Sequence, residues 1–194
     1  FLDQDDTWHP KKLQLQVEHM LENPDCGAVH TDMVFIDEND QVITGAEEDE
    51  NARRALINWR GTRDEVSRIL FEKNCIRIIS SMVRRSAFEY VGGFNTSLNG
   101  GEDWEFWTRF ATKCSIHHIP EPLLLRRLHS DNTVSIQRYV RSVNKLQAWR
   151  MLVNSNPHLR NLAGRKRCQL LHQARNAARE TGHLAHATLL GLLL

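Results

Sequence analysis

Asp3, Asp5 and Asp6 stand within four residues of one another in the opening stretch FLDQDDTWHP, after two large apolar residues and before Trp8 and Pro10. Carboxylates at i and i+2 on an extended segment point to the same side. An Asp3-x-Asp5 pair can therefore converge on one hard divalent cation, which prefers oxygen ligands and keeps positions open for water or phosphate. Such a cation suits a diphosphate, whose charge it offsets as a leaving group departs. The competing reading is a set of solvated turn formers, the usual fate of an isolated D-x-D. A calcium loop is excluded, because neither Asp3 nor Asp37, taken as first ligand, places Gly at the sixth position.

A second constellation is Glu102-Asp103, which follows Gly100-Gly101 at the start of a helical pattern. The partial positive charge of a helix N-terminus keeps a carboxylate ionised, and so able to accept a proton. Acids are common at helix starts without any such task. The paired glycines favour function, since they let a substrate approach the backbone closely. Trp104 and Trp107 beside them are core residues in the plain reading and an aromatic lip for a sugar ring in the functional one. The third constellation is LLLRRLHSDNTVS, where His129 at a strand end could complete a metal site, with Arg126 or Arg127 holding phosphate oxygens. His117 and His118, which alternate across a strand, fit an unremarkable structural role better.

The elements that must position these groups alternate between helix and strand. FLD reads as the end of a strand entering a loop, and Pro10 suits a first helical turn. Leu13, Val17, Met20 and Leu21 predict a helix with that apolar face, stopped by NPDCG. GAVHTDMVFID reads as a strand, and DENDQ with VIT as a hairpin turn and its return. The acidic GAEEDENARR reads as an exposed loop, a short helix is expected from about Arg63 to Phe71, and IRIISSMVRR reads as a strand. SAFEYVGGF is a helical turn ending where left-handed geometry or close approach is required. CSIHHIPEPLLLRRLH gives two extended pieces broken at Pro120 and Pro122. From Thr133 the pattern becomes long, basic and helical, in two or three helices. The division expected is 1–132, an α/β catalytic portion, and 133–194, a basic helical tail.

Composition bounds these assignments. With 41% hydrophobic and 25% charged residues, the 194-residue chain has a globular rather than a disordered composition. It shows no leader-like segment and no apolar run of spanning length. Cys26, Cys75, Cys114 and Cys168 lie far apart without a C-x-x-C pair, which argues against a disulfide framework or a zinc site. The expectation is a reduced, cytoplasmic protein. The net charge of +1 conceals a split: fourteen acids and two lysines in the first fifty residues, against twelve bases and two acids from Leu123 onward. The basic tail fits a solvated helical face better than a peripheral contact with an anionic membrane.

Taken in order, the stretches FLDQDDTWHPKKLQLQV, GAVHTD, VGGFNTSLNGGEDWEFWTRF and PLLLRRLHSDNTVS resemble the family 2 glycosyltransferases of the GT-A, Rossmann-like fold. The resemblance covers about Phe1 to Ser135, and it is the combination that is specific. It implies an inverting sugar transfer from a nucleotide-diphosphate sugar to an acceptor hydroxyl of a glycan, lipid-linked or other compound. Mn2+ or Mg2+ is the implied cofactor, and nucleic acid is not an implied partner. By that resemblance Asp5 holds the metal, Asp3 contacts the nucleotide-sugar and the metal indirectly, and Asp103 is the general base. His129 matches a metal or diphosphate position. Asp6, Ser81, Gly93, Glu102, Trp104 and Arg127 fall in the donor and acceptor space. The family's opening nucleotide-binding strands are not seen before Phe1, so the expectation is an incomplete GT-A domain that turns over little by itself.

Two other functions compete. One is a catalytically silent GT-A-like binding module whose basic helical tail contacts a partner or a membrane; acids at 3, 5 and 103 together argue against it. The other is a metal-dependent nucleotidyltransferase or phosphohydrolase, which would want further converging acids or a Gly-rich phosphate loop.

Overall fold

The computed structural model describes residues 2–43, 57–128, 138–183 and 186. His129 and the acidic stretch 45–54 lie outside the described residues. The chain divides into two compact units, one of Phe1–Ser67, Cys75–Gly93 and Phe110–Asn132, the other of Arg68–Asn74, Phe94–Arg109 and Thr133–Leu194.

The first unit is built on a five-stranded sheet. Its centre is β2 (Cys26–Ile36), buried along nearly its whole length and hydrogen-bonded on both edges. A strand covered on both sides reads as a continuous β-branched and aromatic run, which is why GAVHTDMVFID was legible. β5 (Ser115–Arg127) runs parallel to β2, while β3 (Val42–Ile43) and β4 (Ser81–Val83) pair with it antiparallel. β1 (Thr7–Trp8) pairs antiparallel with the far edge of β5. The two extended pieces expected around Pro120 and Pro122 are one strand. The register steps from Thr31↔Ile119 to Asp32↔Pro122, so the ladder skips Pro120 and Glu121 and then resumes. Proline lacks the N–H a ladder needs, and an irregularity accommodates it without ending the strand. IRIISSMVRR forms a strand only over Ser81–Val83, after a 3-10 turn at Ile78–Ser80.

Helix α1 (Lys12–Glu22) forms where expected but turns a different face inward. Lys12, Gln16 and Met20 are buried, whereas Leu13, Val17 and Leu21 are 50%, 45% and 73% exposed. Of the expected apolar stripe only Met20 reaches the core, beside Cys26, Val29, Ile119 and Leu123. The polar side chains can be buried because their bonds are made. Gln16 Nε2 donates to Ser80 O at 2.9 Å and Val29 O at 3.3 Å, and its Oε1 accepts from Lys12 Nζ at 2.8 Å. The Lys12 ammonium also lies 4.1 Å from the centre of the Trp8 ring. Burial lowers the Lys12 pKa to about 8.

α2 (Arg63–Glu72) starts with a reciprocal cap: Glu65 Oε2 accepts from Thr62 N at 2.8 Å and Thr62 Oγ1 from Glu65 N at 3.3 Å. α3 (Arg85–Val91) ends at Gly92 and Gly93, both at positive φ, whose N–H groups return to Phe88 O. The left-handed geometry expected of VGGF is present.

In the second unit, the first turns of α4 (Glu102–Lys113) pack with α5 (Arg138–Ser155) and α6 (Arg160–Glu180). Phe71, Leu98, Trp104, Ala148, Leu152, Leu159 and Leu170 form its core. Among the described residues no helix is long and apolar enough to cross a membrane.

Candidate active site

The acidic loop lies in the first unit. Leu2 and Asp3 are outside any strand, Gln4 and Asp5 form a turn, and pairing starts with Thr7↔Leu125. The strand expected at FLD is thus absent at Leu2 and Asp3, because the β5 edge reaches the chain only at Thr7. The same-side argument for Asp3 and Asp5 thereby loses the pleat it rested on. Asp3 is exposed, while Asp5 and Asp6 are half-buried.

Arg127 is the anchor of this loop. Its N–H donates to Asp6 Oδ1 at 2.9 Å and its Nε to Asp5 O at 3.1 Å. The same guanidinium reaches the hairpin turn after β2, donating to Asp37 O and Asp40 Oδ1, both at 2.6 Å. That turn is itself tied by Asp37 Oδ1, which accepts from Asn39 N and Gln41 N. Burial pushes the Asp6 carboxyl up from its ordinary value; the Arg127 N–H works against this, Asp5 and Asp3 add to it, and Arg126 opposes. Mutual repulsion among these acids is what a bound cation relieves, and an all-carboxylate set suits a hard divalent ion. By the resemblance Asp5 and Asp3 would hold the implied metal, and their carboxylates are the donor type that such an ion takes.

Two further expected residues sit in this unit. Ser81 is buried, and its hydroxyl donates to Ile78 O at 2.6 Å. Gly93, half-buried at φ 64°, would place a Cβ 3.3 Å from the Phe88 ring.

Glu102, Asp103 and Trp104 lie in the second unit, at the N-terminus of α4. Asp103 is half-buried and both its oxygens are engaged: Oδ1 accepts from Trp104 N at 2.7 Å and Oδ2 from Asn74 Nδ2 at 3.0 Å. Glu102 Oε2 is buried with no hydrogen-bond partner among the described residues. Such an atom costs about 1–3 kcal/mol unless something donates to it.

Trp104 is not a lip. It is 4% exposed, its Nε1 donates to Leu70 O at 2.9 Å, and its ring meets Phe71 and the Lys166 ammonium. An indole with its N–H satisfied by helix-end carbonyls belongs to the core, which corrects the sugar-stacking expectation. The glycine pair is also occupied. A Cβ at Gly100, where φ is 122°, would lie 2.9 Å from Arg141 Cα, and one at Gly101 3.0 Å from Lys145 Cγ. The close approach that these glycines permit is made by α5, not by open space.

The sequence did not single out Asn74 or Gln16, and it read the turn at Asp37 and Asp40 only as a hairpin turn, without its tie to Arg127. Each acts through a partner 29 to 90 residues away. The four cysteines are free, as expected.

A family model described as "Glycosyltransferase like family 2" matches residues 1–153. No curated protein matches the chain. The match spans the acidic loop, the sheet, the Gly-Glu-Asp helix start and most of α5, and the mixed α/β fold with its helical C-terminal segment is GT-A-like. The chain belongs to the glycosyltransferase-like family 2.

Proposed function

We propose that this chain carries the catalytic acids of an inverting transferase that moves a sugar from a nucleotide-diphosphate sugar to an acceptor hydroxyl. Asp103 acts as general base. It takes the hydroxyl proton as the acceptor oxygen bonds to the anomeric carbon and the bond from that carbon to the diphosphate breaks. Asp5, with Asp3, holds Mn2+ or Mg2+, which when bound offsets charge on the departing diphosphate. Glu102 contacts the sugar or the acceptor. Arg127 keeps the acidic loop in place and is a positioning residue.

The observation that carries this reading is the fixed Asp103 carboxylate: Asn74 and the Trp104 N–H hold both its oxygens at a helix start. A base aimed in this way loses little freedom as it takes up a proton. The test uses the complete natural polypeptide with Mn2+ or Mg2+ and a panel of nucleotide-sugars. Asp103→Asn and Asp5→Asn should each lower transfer by about 100-fold or more. Transfer that survives both substitutions overturns the assignment.

A further inference from the structure

His19 on α1, Cys26 at the start of β2 and His117 on β5 lie far apart in sequence, yet each presents one ligand atom and these atoms all lie within 4.8 Å of one another. His19 Nε2 and His117 Nδ1 are 3.0 Å apart, with the rings edge to face. Cys26 is fully buried, His117 is 5% exposed and His19 is half-buried, so the cluster meets solvent chiefly at His19. The backbone that carries it is braced. The α1 end is pinned by Arg84, whose Nη2 donates to Met20 O and whose Nε donates to Cys26 O at 2.8 Å. His117 is placed by its pairing with Val29.

We propose that His19, Cys26 and His117 form a Zn2+ site, separate from the acidic loop and independent of the transfer reaction. Two imidazoles and a thiolate are borderline-soft donors. They select Zn2+ over Mg2+ or Mn2+, and a tetrahedral ion places such ligand atoms about 3.3–3.7 Å apart, inside the 4.8 Å within which these three lie. Water fills the fourth position. Both imidazoles are held below their usual pKa, chiefly by burial and then by the Arg60 charge, so they stand ready as neutral ligands. The thiol is the costly donor. Burial raises it to about 11, and its proton, directed at Ala28 O over 3.1 Å, must leave to solvent as the Zn–S bond forms. Glu22 and Asp25 offset part of the charge that Arg60 and Arg84 add nearby. The bound ion would clip the last turn of α1 to β2 and β5.

The experiment titrates the purified protein with Zn2+ against a chromophoric chelator, and with Co2+ as a spectroscopic probe. One equivalent of Zn2+ should bind, with release of about one proton at neutral pH. Co2+ should give thiolate charge-transfer absorption in the near ultraviolet with tetrahedral visible bands. Cys26→Ser should abolish the charge-transfer band, and His19→Ala should weaken Zn2+ affinity at least tenfold. Asp5→Asn should change neither. Should Cys26→Ser fail to fold, His19→Ala, at a half-exposed helix position, still decides the matter. Absence of stoichiometric Zn2+ binding, or affinity unchanged in His19→Ala, overturns the proposal.

Discussion

Asn74 Nδ2 donates to Asp103 Oδ2 at 3.0 Å, and this bond joins the end of one helix region to the first turn of another. If Asp103 is the base, Asn74 aims it without touching substrate. Asn74→Ala should lower kcat by about tenfold, the worth of one hydrogen bond to a charged group, with little change in donor KM. Combined with Asp103→Asn it should add nothing, because the aimed group is already gone. Steady-state kinetics of the two single variants and the double variant check this; additive losses would show that Asn74 acts elsewhere.

The Arg127 guanidinium ties the acidic loop to the hairpin turn through the carbonyls of Asp5 and Asp37, and its ion pair with the exposed Asp40 contributes little by comparison. Arg127→Ala should destabilise the protein by about 2 kcal/mol, and Asp40→Ala by less than about 1 kcal/mol. Arg127→Lys should not rescue, since an ammonium cannot span the same set of acceptors. Urea unfolding of the three variants gives the comparison.

Two glycines should respond in opposite directions. Gly100 sits at φ 122°, and a Cβ there would meet the Arg141 backbone at 2.9 Å, so Gly100→Ala should cost about 2 kcal/mol or more. Gly164 lies exposed inside α6, and nothing stands within 4 Å of the Cβ it would gain. Gly164→Ala should stabilise by about 0.5–1 kcal/mol. Thermal unfolding of both variants tests the contrast.

Lys12 gives a pH signature. Its pKa is about 8 when folded against 10.5 for the free side chain, so between those values the unfolded chain binds the extra proton. Stability from this group therefore rises as pH rises through that window, and is penalised below about pH 8. Relative to Lys12→Met, the wild type should gain about 2 kcal/mol between pH 8 and pH 10, at up to about 1.4 kcal/mol per pH unit. Denaturant unfolding of both proteins at the two pH values measures the difference; a pH-independent gap would show that Lys12 stays charged.

The acids, the glycine turns and the central strand were legible in the sequence because each rests on a local cause. Left-handed glycine geometry ends α3, and a β-branched run makes β2. Helix α1 shows where local pattern failed. Its apolar stripe of Leu13, Val17 and Leu21 stayed outside, because Gln16 and Lys12 found partners inside that periodicity cannot register. Trp104 shows the same limit, since only packing against Phe71 and the Leu70 carbonyl distinguishes a core indole from a binding surface.

The sequence by itself determined the family, the mixed α/β class and the acids available for chemistry. The tertiary structure alone decided that Arg127 anchors the acidic loop, that Asn74 aims Asp103, and that α5 fills the space at Gly100 and Gly101. It also brought together His19, Cys26 and His117, whose sequence spacing argued against a metal site. The physical reason is common to all four. Helix periodicity and capping act across a few residues, whereas convergence of groups across up to 122 residues depends on ladder register and helix packing, which no local pattern specifies.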